Sequence, residues 1–242
     1  MRFLLFLLML CGVPQAFALV IGMYELAPHM VVDGQKEPSG AVVDFVREVL
    51  GKSGEFGTLE WRCANFARTL RELEAGQIDV VFMVAKNEQR SKLFRYSGVP
   101  FFETRSAVVT LKGSKLVPLT SLEQLRGMQI GHAHGSIIPE YLKALAVEVQ
   151  SIPGDDYFNR GLKMVELKRF DAYFAPTLTN VQYTIKKYEG MDALSVQPLP
   201  VEPLALYAVF SKTLDERTFT RLDSLIGANL ARYKALLAPY IR

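Results

Sequence analysis

The chain is predicted to be α/β, with two similar lobes, each built on a central mixed or parallel sheet, joined by a two-strand hinge. Two observations lead there. Apolar segments alternate between helical and strand periodicity along the 242 residues. One helix–turn–strand pattern also occurs twice, 92 positions apart. Phe66, Arg68, Leu70, Leu73, Ile78, Asp79 and Phe82 return as Phe158, Arg160, Leu162, Val165, Phe170, Asp171 and Phe174. That spacing is too large for a stacked solenoid and fits two units of about 100 residues.

The N-terminus stands apart from this pattern. Arg2 precedes an unbroken apolar run, Phe3 to Leu10, and Ala16-Phe17-Ala18 places small residues where a signal peptidase reads them. Export with cleavage after Ala18 follows, because the run is short of the about 20 residues a membrane span needs. Cys11 follows the bulky Leu10, which argues against lipidation. Cleavage lowers the formal charge from +3 to +2 and leaves Cys63 alone, read as a buried small apolar residue.

After it, Leu19 to Met23 reads as a strand, and Tyr24 to Lys36 as a loop and hairpin through Asp33-Gly34. Ser39-Gly40 opens a helix whose Val42, Phe45, Val46, Val49 and Leu50 share one face. Leu59 to Trp61 is a short strand. The helix of Phe66, Leu70 and Leu73 stops at Gly76, and Ile78 to Val84 is a continuous apolar strand of the buried, parallel kind. Ser106 to Lys112 is the next strand, and Thr120 with Glu123 caps a short helix over Leu122 to Leu125. A strand over Gly127 to Gly131 and a helix from Gly135-Ser136 through Leu145 follow. After the second repeat copy come a helix over Thr179 to Lys187, a strand over Leu204 to Phe210, and helix from Asp215 onward. Crossings near Arg105 to Lys112 and near Glu202 to Phe210 divide the chain into residues 19–107 with 206–242 and residues 108–205. Asp79 and Asp171 stand where strands begin, so they read as turn residues; ligands in such sheets gather at strand C-terminal ends.

Apolar residues at 50% and charged residues at 22% are globular proportions, and no Lys/Arg run is interleaved with aromatics. A nucleic-acid partner is therefore excluded.

The motifs resemble a known family. They are Pro28 with the Gly40-to-Leu50 helix, the Phe66-to-Asp79 stretch, Asn87-Glu-Gln-Arg90, Tyr96-Ser-x-x-Pro100-Phe-Phe, Leu125-x-Gly-x-x-Ile-Gly131 with Gly135-Ser136, and Phe170-Asp-Ala172. In order they are similar to the extracellular solute-binding proteins of family 3, the polar amino-acid receptors of ABC importers. The resemblance implies the type II periplasmic binding fold, a periplasmic monomer without cofactor or metal, a small ligand bearing a carboxylate or similar anion, and a membrane permease as partner. It implies binding and no catalytic residue.

The resemblance puts Arg90 at the ligand-carboxylate arginine, with Asn87 as a helix cap. A guanidinium offers a rigid fork of donors that matches a carboxylate. Ser136, with the amides after Gly135, is the second-lobe counterpart at an expected helix N-terminus. Phe66 matches an aromatic that packs on the ligand; the repeat equally makes it a core residue. Tyr24 and Glu25 lie at the first strand exit, and Glu25 is the candidate acceptor for an amine. The family's amino-acid receptors carry an Asp after the second-repeat strand, where this chain reads Ala175-Pro176-Thr177. Met83 and Ala85 stand where hydroxyls often accept the amine. An ordinary amino acid therefore lacks its ammonium partner unless Glu25 supplies one. His132 and His134 read as loop or cleft lining, since no further metal ligands accompany them. The rival readings are a periplasmic dehydratase of a cyclic carboxylic acid, with Glu25 or His134 as acid–base group, and a ligand-sensing partner of a membrane receptor.

Overall fold

The computed structural model describes residues 18–32, 37–154, 156–186 and 191–241. The expected signal segment up to Phe17, the Asp33-Gly34 turn and Lys187 lie outside them. The first half contains β1 (Ala18–Met23), α1 (Ala41–Phe45), β2 (Thr58–Cys63), α2 (Phe66–Glu74), β3 (Val80–Ala85), α3 (Glu88–Leu93), β4 (Arg95–Tyr96) and β5 (Phe102–Thr104). A wider π-type turn, Val46–Gly51, extends α1. The chain then crosses into β6 (Ala107–Leu111), β7 (Gln129–Ala133), α4 (Glu140–Lys143), β8 (Glu148–Ile152), α5 (Tyr157–Glu166), β9 (Ala172–Ala175), α6 (Leu178–Ile185) and β10 (Leu194–Pro198). It returns as β11 (Leu204–Phe210), α7 (Glu216–Ala228) and α8 (Leu230–Ile241).

Two sheets result, and they share a plan. The first runs β2-β1-β3-β11-β4, with β5 also on β11; the second runs β10-β6-β9-β7-β8. In each, a central strand (β1 or β7) is flanked by two parallel neighbours, and the strand beyond is antiparallel. The repeat supplies the matching pairs α2–β3 and α5–β9. Its aspartates do matching work: Asp79 Oδ2 accepts the Val20 amide at 2.8 Å, and Asp171 Oδ2 accepts the Gln129 amide at 2.9 Å. Each carboxylate ties the mouth of its strand to the central strand, far from strand C-termini.

Each sheet has its own core. Ile21, Phe45, Phe82, Phe101 and Tyr233 are fully buried around the first. The second is covered by Val108, Leu125, Ile130 and Phe174 on one face and by Val109, Leu162, Val165 and Tyr173 on the other. The chain passes between sheets at residues 105–106 and 199–203, and the Leu199 amide donates to the Ser106 carbonyl at 2.9 Å, linking the two crossings.

Three expectations are corrected. The helix from Gly135 is a single turn, Glu140–Lys143, preceded by Pro139 in extended conformation. A proline disfavours helix at the residue before it, so 135–138 remain a loop. The strand expected at 127–131 lies at Gln129–Ala133, with Gly127 (φ 69°) in the turn before it. The loop and hairpin expected after Tyr24 are present as antiparallel bridges, Leu26 to Met30 and Val31 to Ser39. Cys63 is exposed, because β2 is the sheet's edge and only one face of its end is covered. β8 and β10 were not anticipated; exposed polar positions in β8 and half-buried ones in β10 interrupt their apolar pattern.

Candidate functional site

A cavity of about 190 Å³ lies where the two sheets face each other. Its walls come from equivalent places in the two repeat copies. Phe66 and Phe158, at the starts of α2 and α5, both line it, as do Met83 and Ala85 from β3 and Tyr173 to Ala175 from β9. The strand C-termini thus open onto the cavity, where loops and helix N-termini converge. Tyr24, Arg90, Ser136 and Thr177 also line it.

Arg90 is the buried cation of the site, 9% exposed. Asn87 caps α3 by accepting the Arg90 amide at 2.8 Å, which turns the side chain inward. The guanidinium lies 5.1 Å over the Phe66 ring. Nη1 donates to the Ala85 carbonyl at 3.1 Å, and Nη2 to the Gly135 carbonyl of the other lobe at 3.0 Å. No carboxylate pairs with it among the described residues. Burial consequently holds its pKa below the ordinary value, moderated by Tyr96 and Tyr24. Tyr24 is oriented by donating to the Met83 carbonyl at 2.8 Å and packs 4.6 Å from Phe66. Burial raises its phenol pKa far above the usual range, so the hydroxyl stays neutral. Met83 has φ 65°, a left-handed conformation inside a strand, at a bulge where the β3–β11 register slips. That bulge turns the Met83 carbonyl toward Tyr24.

Two sequence candidates have different surroundings from those expected. Ser136 stands in the loop before α4; its amide donates to the Ala133 carbonyl at 3.1 Å and its hydroxyl to the same oxygen at 2.7 Å. Its free helix-end amide is therefore not formed, although the residue lines the cavity. Glu25 lines a neighbouring, more open cleft of about 700 Å³ with Asp156 and Asn159. Its carboxylate accepts the Val32 amide at 2.7 Å and the Ala27 amide at 3.3 Å, folding its own loop. Gly135 contributes its carbonyl, not its amide, to Arg90. His132 is buried and bonds Ser136 at 2.9 Å, while the exposed His134 bonds Ser151 at 3.0 Å. Among the described residues no three His, Cys, Asp or Glu side chains group as a metal site.

Residues the sequence reading overlooked hold the lobes together. Tyr157 donates to the Glu25 carbonyl at 2.8 Å, and Asn180 Nδ2 to the Ala27 carbonyl at 2.6 Å. His29 is fully buried; Nδ1 meets the Tyr233 hydroxyl at 2.5 Å and Nε2 the Thr179 hydroxyl at 2.6 Å across the cleft. Only its place after Pro28 hinted at this. The groups around it are Tyr233 of α8, Thr179 of α6 and the Phe102 ring of β5 at 5.0 Å. None carries a compensating negative charge, and burial pushes the imidazole pKa down from 6.5 to about 3. The unfolded imidazole binds a proton below 6.5 and the folded one does not, so the stability His29 contributes is complete above 6.5 and is lost as pH falls below it. Urea unfolding between about pH 7 and about pH 5 should show stability declining by up to about 1.4 kcal/mol per pH unit on this account. His29→Gln should flatten that slope; an identical slope in the variant would exclude His29 as its source.

Residues 19–225 match the model of the bacterial extracellular solute-binding proteins, family 3. The fold is similar to a periplasmic binding protein of Salmonella typhimurium with high arginine specificity, with 17% identity, 94% of this chain and 100% of that chain covered, and TM-score 0.74. It is also similar to an ancestral amino-acid-binding protein described as a precursor of cyclohexadienyl dehydratase, at 15% identity, 93% and 96% coverage and TM-score 0.74. A histidine kinase sensor domain matches at 18% identity, 94% and 96% coverage and TM-score 0.75. Likenesses at this identity show the fold. The sequence has no match among curated proteins.

Proposed function

We propose, for a chain that belongs to the bacterial extracellular solute-binding proteins of family 3, that it captures a small carboxylate-bearing solute in the cavity between its lobes. The observation that carries this is Arg90: a buried guanidinium at the cavity wall, aimed across the cleft, with no carboxylate of the described chain to neutralise it. A desolvated cation is costly unless paired, and a ligand anion is the missing partner. The Gly135 carbonyl holds the guanidinium from the far lobe, so a bound anion and lobe closure draw on one side chain.

The chain works, on this reading, as an exported monomer in the periplasm, cleaved after Ala18, passing its solute to the membrane permease of an ABC importer. The family match beginning at residue 19 and the apolar run before it support export. Binding is favoured over dehydration because the proposed acid–base groups lie elsewhere. Glu25 is engaged with backbone amides, and His134 is exposed beside Ser151.

Denaturing the purified exported protein and analysing it by mass spectrometry should release a small anion from a chain beginning at Leu19. Adding that anion back to refolded protein should shrink the radius of gyration measured by scattering, as the lobes close. A tight-binding solute that leaves the radius unchanged would overturn capture between lobes.

A further inference from the structure

We propose that the ligand is an apolar-bodied monocarboxylate without an α-amino group, such as a 2-oxo acid or an unsubstituted carboxylic acid. This rests on the reading of Arg90 as the anion partner and narrows it to a substrate class.

The charges of the cavity point one way. Lys86 and Arg90 are its charged lining residues, and among the described residues no Asp or Glu lines it. A buried α-ammonium needs an anion, and the described lining offers it only neutral acceptors, whose carbonyls already hold other donors. The Met83 carbonyl accepts Tyr24, the Ala133 carbonyl accepts Ser136, and the Ala85 and Gly135 carbonyls accept Arg90. Glu25, the one acid the sequence offered, lies in the neighbouring cleft with its carboxylate on the Ala27 and Val32 amides. Where β9 ends, Ala175 offers a methyl group, and Pro176 has no amide hydrogen to orient an acceptor. A buried ammonium there would lose water and gain no anion, whereas the same skeleton with a 2-oxo group adds no charge.

Size narrows the class further. A volume of about 190 Å³ is below the usual range of ligand pockets. Phe66, Phe158, Tyr173 and Phe174 present ring surface to it. A branched-chain or small aryl carboxylate suits that volume and that surface.

The test uses matched pairs on the mature protein: 4-methyl-2-oxopentanoate against L-leucine, and phenylpyruvate against L-phenylalanine, with 4-methylpentanoate and 3-phenylpropanoate as parents lacking both groups. Calorimetry should show at least one oxo acid or parent acid binding about 30-fold or more tighter than its amino acid. Thr177 lines the cavity at 2% exposure and caps α6 without a side-chain bond. Thr177→Asp, a side chain well suited to a helix N-cap, should tighten the amino acid and weaken the oxo acid, reversing the order. Equal or tighter amino-acid binding by the unmodified protein, abolished in Arg90→Ala, would overturn this proposal alone. Failure of every carboxylate in the set to bind would overturn it together with the reading of Arg90.

Discussion

Arg90→Ala should weaken ligand binding by about 2–5 kcal/mol, roughly 30-fold or more, while the protein remains folded. The ligand carboxylate loses a forked, charge-assisted partner, whereas the 3.0 Å bond to the Gly135 carbonyl belongs to the protein itself and its loss is common to both states. The unliganded fold loses less, because the guanidinium is desolvated without a carboxylate to offset the cost and its lowered pKa reflects that burden. Thermal unfolding without ligand should therefore change little, and the ligand-induced rise in midpoint should shrink. Arg90→Lys should recover part of the affinity, since one ammonium keeps the charge but cannot reach Ala85, Gly135 and a carboxylate in one plane. Calorimetry on the three proteins with the released anion decides the matter. An alanine variant that binds as tightly as the parent would remove Arg90 from the site.

Gly161→Ala should destabilise the second lobe by about 1–3 kcal/mol, against the sign that helix propensity predicts. Gly161 lies within α5, where alanine is ordinarily favoured by about 1 kcal/mol. A Cβ there would stand 2.3 and 2.5 Å from two carbons of the Tyr173 ring and 3.2 Å from Ile152. A flexible chain end would yield freely; an aromatic ring that is 1% exposed, edge-on to Phe158 at 5.3 Å, gives only by disturbing its neighbours. The ring must move into the cavity or α5 must lift from β9. Either outcome also erodes ligand affinity, because Tyr173 and Phe158 are cavity walls. Urea unfolding compares the two proteins, and a variant more stable than the parent would show that α5 has room the packing denies.

The α/β class and the twofold plan were readable from local pattern and from the repeat. Phe66-to-Phe82 and Phe158-to-Phe174 each encode a helix, a turn with a strand-anchoring aspartate, and a buried strand. Those features depend on residues within about twenty positions of one another, which sequence displays directly. β8 and β10 escaped notice because edge strands need little apolar surface and take their hydrogen bonds from neighbours distant in the chain. The false helix at Gly135 shows the same limit at short range. The pattern of a helix start was present, and Pro139 prevailed over it.

The site divides along that line. Arg90 was named as a candidate because the family resemblance points to Asn87-Glu-Gln-Arg90, a motif that lies within four residues at a strand exit. Its lack of a carboxylate partner among the described residues, the diversion of Glu25 to its own loop, and the clasp from His29 to Thr179 were not visible. They join residues up to 150 positions apart whose meeting depends on how two lobes close. The sequence alone therefore determined two lobes and a cation between them. Only the tertiary structure decided which polar groups were already satisfied inside the chain, because hydrogen-bond satisfaction is a property of neighbours in space, and it is this that leaves the cavity cationic, apolar and small.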